Sequence, residues 1–296
     1  MNSKTMNSSR VLFLGRSTFD LLYRLDELPA DDTKVYARNF LAAPGGPALN
    51  AAITHSMLGG QSMLISSVGA GPWAAAVRAE LDRHRIALFD LAAGTAYETP
   101  VTTVLVNAAT GSRTIVNPPI STGPAQDLQA LPVDWLPLPS VLLTDGFHLA
   151  ETLAFLTECK AAGAKLCLDG GSWKPGTAEL APLLTAAICS ERFTLPGQPS
   201  DPESLFAWYA ALGVPHIALT RGARPILASD HGRRFEIEVT PIDVADTLGA
   251  GDVLHGAFVH YLAQGHSFES ALRKAAEVAT LSCKSLGTQA WAGISL

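Results

Sequence analysis

A mainly parallel β-sheet flanked by helices, with a smaller β element outside it, is the α/β fold that this 296-residue sequence predicts. Three observations predict it. Hydrophobic residues make up 48% of the chain, enough for a sizeable core and too many for a disordered one. Short apolar runs ending in Gly, Ser or Asp alternate with amphipathic stretches at helical spacing. Two regions, 16–42 and 97–120, break that alternation with β-branched, turn and polar residues.

The first ten residues, MNSKTMNSSR, are polar and run into an apolar strand at 11–14 without the apolar segment of a signal peptide. Further strands are expected at 63–68, 141–144, 165–168, 186–189 and 216–219. Residues 73–83 follow the second strand as a helix, and 152–162 follow the third, closing at Gly163. In the region 97–120 the alternating run Thr102-Thr103-Val104-Leu105-Val106 precedes a turn at Ala109-Thr110-Gly111, which reads as a hairpin outside the main sheet. A second hairpin is expected where 225–228 and 234–239 flank Asp230-His231-Gly232. There is no internal repeat, and one domain over 1–296 is expected.

Composition narrows the function classes. A net charge of −6 with scattered Lys and Arg leaves no electrostatic footprint for nucleic acid. No apolar run reaches the roughly 18 residues of a membrane span, so a cytoplasmic protein with a small-molecule partner is expected. Cys159, Cys167, Cys189 and Cys283 are too far apart for a CxxC pair or a zinc spacing, and read as buried reduced thiols.

The segment Asp246-Thr247-Leu248-Gly249-Ala250-Gly251-Asp252 carries the strongest chemical signal. Beyond it Val253, Leu254, Ala257, Phe258, Tyr261 and Leu262 recur at helical spacing up to Gly265, so the glycines open a helix. Helical N–H groups and the dipole favour an anion at such a start, yet Asp252 puts a carboxylate there. Two readings stand on these residues alone: a proton acceptor beside an anion site, or a silent capping Asp behind a glycine turn.

Two other strings invite function. Gly69-Ala70-Gly71-Pro72-Trp73-Ala74 follows a strand and has Asp90 about 20 residues on, as a dinucleotide fold requires; Pro72 also fits plain helix initiation. Asp169-Gly170-Gly171-Ser172-Trp173-Lys174 follows a strand and suits either a ligand edge or a capping turn. The eight His show no metal-ligand spacing.

With Gly45-Gly46-Pro47-Ala48-Leu49-Asn50-Ala51-Ala52 in the N-terminal half, DTLGAGD at 246–252 resembles the paired motifs of the ribokinase-like (PfkB-type) carbohydrate kinases. The likeness runs from Val11 to about Gly287. It implies ATP-dependent phosphorylation of a sugar hydroxyl, with Asp252 as catalytic base and Gly249, Ala250 and Gly251 as the anion hole. Gly45, Gly46 and Asn50 would contact substrate hydroxyls, and Asp20 matches the family's early substrate-binding Asp. The regions 16–42 and 97–120 would form a β lid, with Arg113 near its tip and facing substrate.

On the nucleotide side, Thr220-Arg221-Gly222 is similar to the family's nucleotide-contacting turn; Thr247 joins Thr220 and Gly222, and Ser282 lies in the 279–287 stretch that would border the adenine. The resemblance also implies Mg²⁺ with ATP, admits a monovalent cation, and extends to a homodimer through the lid. One departure concerns the metal: where many members carry Asn-x-x-Glu, this chain has Ser190-Glu191-Arg192-Phe193, leaving Glu191 as the substitute ligand. That irregular stretch and the Asp246-Thr247-Leu248 form lean toward a fructokinase- or ketohexokinase-like activity. A nucleoside kinase, a non-catalytic sugar binder and a nicotinamide-dependent oxidoreductase are the alternatives.

Overall fold

In this computed structural model the structure describes residues 9–109, 111–119, 128, 131–285 and 287–293. Residues 1–8 of the polar start, Thr110 of the expected turn, residue 120 of the second lid segment and Leu286 of the 279–287 stretch lie outside the described residues.

The elements run β1 (Arg10–Leu14), β2 (Thr18–Leu25), β3 (Asn39–Gly45), α1 (Pro47–Met57), β4 (Gln61–Ser66), α2 (Gly71–Arg83), β5 (Ala87–Asp90), β6 (Val101–Asn107) and β7 (Arg113–Val116). The second half continues with β8 (Val141–Thr144), α3 (Leu149–Ala161), β9 (Lys165–Gly170), α4 (Thr177–Leu180), β10 (Ala186–Ser190) and α5 (Pro202–Ala211). It closes with β11 (His216–Arg221), β12 (Arg224–Asp230), β13 (Arg233–Ile237), α6 (Ala250–Ala263) and α7 (Phe268–Ser282).

The main sheet has the order β13-β12-β11-β10-β9-β8-β1-β4-β5. Its pairs from β11 to β5 are parallel, while β12 and β13 form the expected antiparallel hairpin. Along β1, Val11 and Phe13 enter the core shared with α1, α2, α6 and α7, whereas Leu12 and Leu14 enter the one shared with α3 and α5. A strand covered on both faces has no polar side to show, which is why these strands read as unbroken apolar runs.

The second sheet, β3-β2-β6-β7, stands apart with its own small core of Leu22, Val104 and Val106. Its first half extends beyond the expected 16–42 boundary, because β3 continues to Gly45, paired with Thr18. Of the glycine pair, only Gly46 leaves the strand, with φ 101° ahead of Pro47 at the first position of α1. The expected 63–68 strand is displaced to 61–66 because the N–H groups of Val68 and Gly69 turn onto the Asp90 carboxylate.

Helices α1 and α6 cross closely: a Cβ on Gly256 would lie 2.3 Å from the Ala51 carbonyl oxygen. Beneath the crossing, Gln264 Nε2 lies 2.9 Å from His260 Nε2, His260 Nδ1 3.2 Å from His55 Nδ1, and His55 Nε2 3.0 Å from the Ser9 carbonyl. One proton arrangement satisfies every link, with Gln264 donating to His260, His260 to His55, and His55 to Ser9, both rings neutral. Burial is the leading cause lowering both histidines, His55 to about 3, where His260 adds to it, and His260 to about 4.

The unfolded chain binds protons on these rings below about 6.5 and the folded chain does not, so their contribution to stability declines as pH falls from about 6.5 toward about 4. Each costs up to about 1.4 kcal/mol per pH unit in that window. His260→Phe is therefore expected to shrink the difference in urea-unfolding free energy between pH 7.5 and pH 5.5 relative to wild type. An unchanged difference would show that the pair is not held neutral.

Candidate active site

Site residues gather where the parallel strands end and the second sheet leans over them. Asp252 lies in the first turn of α6, entered through Gly249 in the left-handed region at φ 67°. A Cβ there would also lie 2.3 Å from Thr288 Cγ2. Gly251 differs: it is exposed, helical, and has nothing within 4 Å of a Cβ position. Packing does not require glycine at 251, and Ala would favour the helix by about 0.5–1 kcal/mol. The Ala250 N–H turns back to the Thr247 carbonyl at 3.3 Å, while the opening N–H groups of a helix otherwise lack intrahelical acceptors.

Asn50, on α1, donates from Nδ2 to Asp252 Oδ2 at 2.7 Å. Thus the two sequence motifs meet in one hydrogen bond. Asn50 is 5% exposed, and its Oδ1 is buried without a partner. Burial, then the nearby Asp169 carboxylate, push Asp252 up to about 7, against the opposing pull of Asn50, His255 and Arg113. A carboxyl poised there exchanges its proton near neutral pH.

Asp20 and Gly45 are adjacent across the β2–β3 pair of strands. Thr18 Oγ1 donates to Asp20 Oδ1 at 2.7 Å, and a Cβ on Gly45 would lie 2.0 Å from Asp20 Oδ2. Burial raises the Asp20 pKa, with Thr18 and Arg16 opposing. Asp20 and Asn50 line a small cavity with Leu41, Leu248, Gly287 and Thr288. Arg113, the first residue of β7, reaches the glycine segment beside it, its Nη1 donating to the Thr247 carbonyl at 2.6 Å and to Thr247 Oγ1 at 3.1 Å. Arg113 and Thr247, expected on substrate and nucleotide respectively, here hold each other.

Thr220 and Gly222 occupy the end of β11 and the turn into β12; the Thr220 hydroxyl donates to the Cys189 carbonyl at 3.3 Å. Ser282 is buried, and its hydroxyl donates to the Ala279 carbonyl at 2.8 Å, so it faces its own helix instead of an open site. Glu191 is exposed and ion-paired with Arg224, walling a groove with Phe193, Leu219 and Arg221. The Asp90 carboxylate is taken up by the N–H groups of Val68, Gly69 and Ala92 and by Arg78, leaving no oxygen for the ribose contact of a dinucleotide fold.

Two residues of the site, Asp145 and His255, escaped sequence reasoning, and Asp246 was read only as the first residue of the glycine segment. Asp145, at the end of β8, accepts from the N–H groups of Arg16 (2.8 Å), Ala48 (3.2 Å) and Phe147 (2.9 Å), tying the β1–β2 turn to the start of α1. Burial pushes it up to about 6, with Lys174 the chief opposing influence. Asp246 accepts from Leu248 (2.9 Å) and Gly287 (3.0 Å), fastening the glycine segment to the loop after α7. His255 bridges the Gly251 carbonyl (Nδ1, 2.7 Å) and the Ile188 carbonyl of β10 (Nε2, 3.0 Å), with Asp169 Oδ2 at 3.3 Å from Nδ1. The signal for Asp145 was its place directly after a strand; for His255 there was none, because its partners come from another part of the chain.

Comparison with known proteins bears on the family and the fold. The family model described as pfkB family carbohydrate kinase matches residues 8–292. The ribokinase of Bacillus subtilis (strain 168) is 26% identical over 294 residues, covering 94% of each protein. Ketohexokinase of Mus musculus is 24% identical over 307 residues, covering 98% of this chain and all of that protein (100%). Among solved structures, Arabidopsis thaliana ribokinase complexed with ribose and ATP superposes with a TM-score of 0.76 at 21% identity, covering 97% of this chain and 100% of that one; the likeness is one of fold.

Proposed function

The chain belongs to the pfkB family of carbohydrate kinases, and from that premise we propose that it moves the γ-phosphoryl group of ATP to a hydroxyl of a fructose- or ribose-type sugar, with Asp252 as general base. The observation that carries this reading is the 2.7 Å hydrogen bond from Asn50 to Asp252, which sets a substrate-side amide and a carboxyl poised near neutral pH at one point. Asp252 takes the proton of the attacking hydroxyl, whose O–P bond forms as the γ-phosphate leaves ADP. The N–H groups at Gly249 and Gly251 stabilise charge on the transferred group, and that of Ala250 joins them once it leaves the Thr247 carbonyl. Gly251, with open space beside it, is the point of closest approach.

Asp20, Gly45, Gly46 and Asn50 form the sugar side, beneath a lid made from the second sheet. Arg113, latched to Thr247, belongs to the closed position of that lid, where water is excluded. The nucleotide side comprises Thr220, Gly222 and Thr247, with Ser282 supporting the loop behind it from within. Mg²⁺ takes oxygen donors and keeps several waters. Asp169 fits it, with a buried Oδ2 that makes no hydrogen bond, whereas Glu191 is committed to Arg224. Bound with ATP, the ion would neutralise phosphate charge. A homodimer through the lid is supported by Val35, Tyr36, Phe40, Ile115 and Val116, all exposed apolar residues of the lid segments.

The deciding experiment follows ADP release by the purified protein with Mg²⁺-ATP and a panel of ketohexoses, pentoses and nucleosides. Sugar-dependent release supports the proposal; release with nucleosides alone assigns a nucleoside kinase, and ligand binding without turnover assigns a non-catalytic binder. A pH profile adds a second check. Because the base must be ionised, kcat/KM is expected to fall about tenfold per unit as pH drops below about 7. A profile flat down to pH 5 would remove Asp252 from that role.

A further inference from the structure

At the opposite edge of the main sheet, where β11 begins and β12 ends, three metal-binding side chains converge. His216 opens β11, Asp230 closes β12, and His231 occupies the following turn; one donor atom from each lies within 4.8 Å of the other two. The parallel strands end at the other edge, so this cluster is remote from Asp252.

The details go beyond proximity. His216 Nδ1 is 3.0 Å from Asp230 Oδ1, yet it is buried and lacks the alignment of a hydrogen bond. The His216 ring is fixed by stacking on Phe268 at 4.8 Å and meets the His231 ring edge-on at 5.0 Å. His231 is exposed, held by its N–H on the Pro215 carbonyl at 2.8 Å, with a left-handed φ of 50°. The other oxygen of Asp230, Oδ2, lies 3.7 Å from Arg233, which itself donates to Glu269 at 2.7 Å. That leaves Oδ1 facing the histidines and oriented by a supporting cation, the kind of outer contact that fixes a ligating carboxylate.

We propose that His216, Asp230 and His231 bind one transition-metal ion of the zinc class, with water or an outside ligand completing the coordination. Two imidazoles and one carboxylate are the donor set that such ions select over Mg²⁺, which takes oxygen. The site clips the β11–β12 turn region and, through the Phe268 stack, the start of α7. It does not depend on the kinase reading.

The test titrates Zn²⁺ into the metal-free full chain by calorimetry and follows the thermal midpoint in parallel. Wild type is expected to bind one equivalent and gain thermal stability. His216→Phe, which keeps the stack on Phe268, and His231→Asn, which tolerates the left-handed backbone, are each expected to weaken binding by roughly 10–100-fold or more, the range seen when only a supporting residue of a metal site is lost. Activity with Mg²⁺-ATP is expected to persist in the His231→Asn chain. Equal zinc uptake by wild type and both variants would overturn the proposal, as would no uptake by wild type. If His216→Phe disturbs folding, His231→Asn decides alone, since its side chain is exposed.

Discussion

Asp252→Asn is expected to lower the rate of sugar phosphorylation by about 10²–10⁴-fold, the worth of a general base, while leaving the folded protein at least as stable as wild type. The amide keeps the size of the carboxyl and an oxygen to accept from Asn50 Nδ2. It cannot take a proton from a hydroxyl. The stability half follows from the raised pKa: burial and Asp169 disfavour the charged form, so above about pH 7 the native carboxylate is a strain on the fold that the amide removes. Steady-state kinetics and a urea melt at pH 8 read the two halves separately. Near-wild-type turnover would exclude Asp252 as base, and a large loss of stability would mark it as a structural residue.

Gly46→Ala is expected to act in the other direction, through the fold first. Gly46 has φ 101° and ψ 146°, a backbone region essentially closed to residues with a Cβ, which costs about 1–3 kcal/mol. An added Cβ would also lie 2.5 Å from the Arg16 carbonyl oxygen, a backbone atom that a rotamer change cannot move. Overpacking of this kind adds about 1–3 kcal/mol. The thermal midpoint should fall by several degrees, and the substrate KM should rise, because the same glycine sets the entry of α1 and so the position of Asn50. A variant with unchanged midpoint would show that the turn relaxes without cost.

How far each residue was legible in the sequence depends on the range of its interactions. Gly45 and Gly46 are neighbours and read as one unit, yet they do different work: Gly45 makes room for the Asp20 carboxylate across a strand pair, while Gly46 turns the chain. Glu191 was legible as a carboxylate in the right stretch, but not its ion pair with Arg224, because that partner lies beyond the next strand. Ser282 was placed by its position in the chain, and the inward face of α7 then decided where its hydroxyl points.

Local pattern and the two motifs determined the fold class, the main parallel strands, the outlying β segments and the family, since period, turn residues and glycine-led helix starts are properties of short stretches. Only the tertiary structure decided what those motifs do to each other. Asn50 and Asp252 are 202 residues apart and acquire meaning when α6 crosses α1 closely enough to join them at 2.7 Å. Likewise the proton affinity of Asp252 arises from burial and from Asp169 on a separate strand. Electrostatics and exclusion of water depend on distance in space, which the order of residues along the chain does not carry.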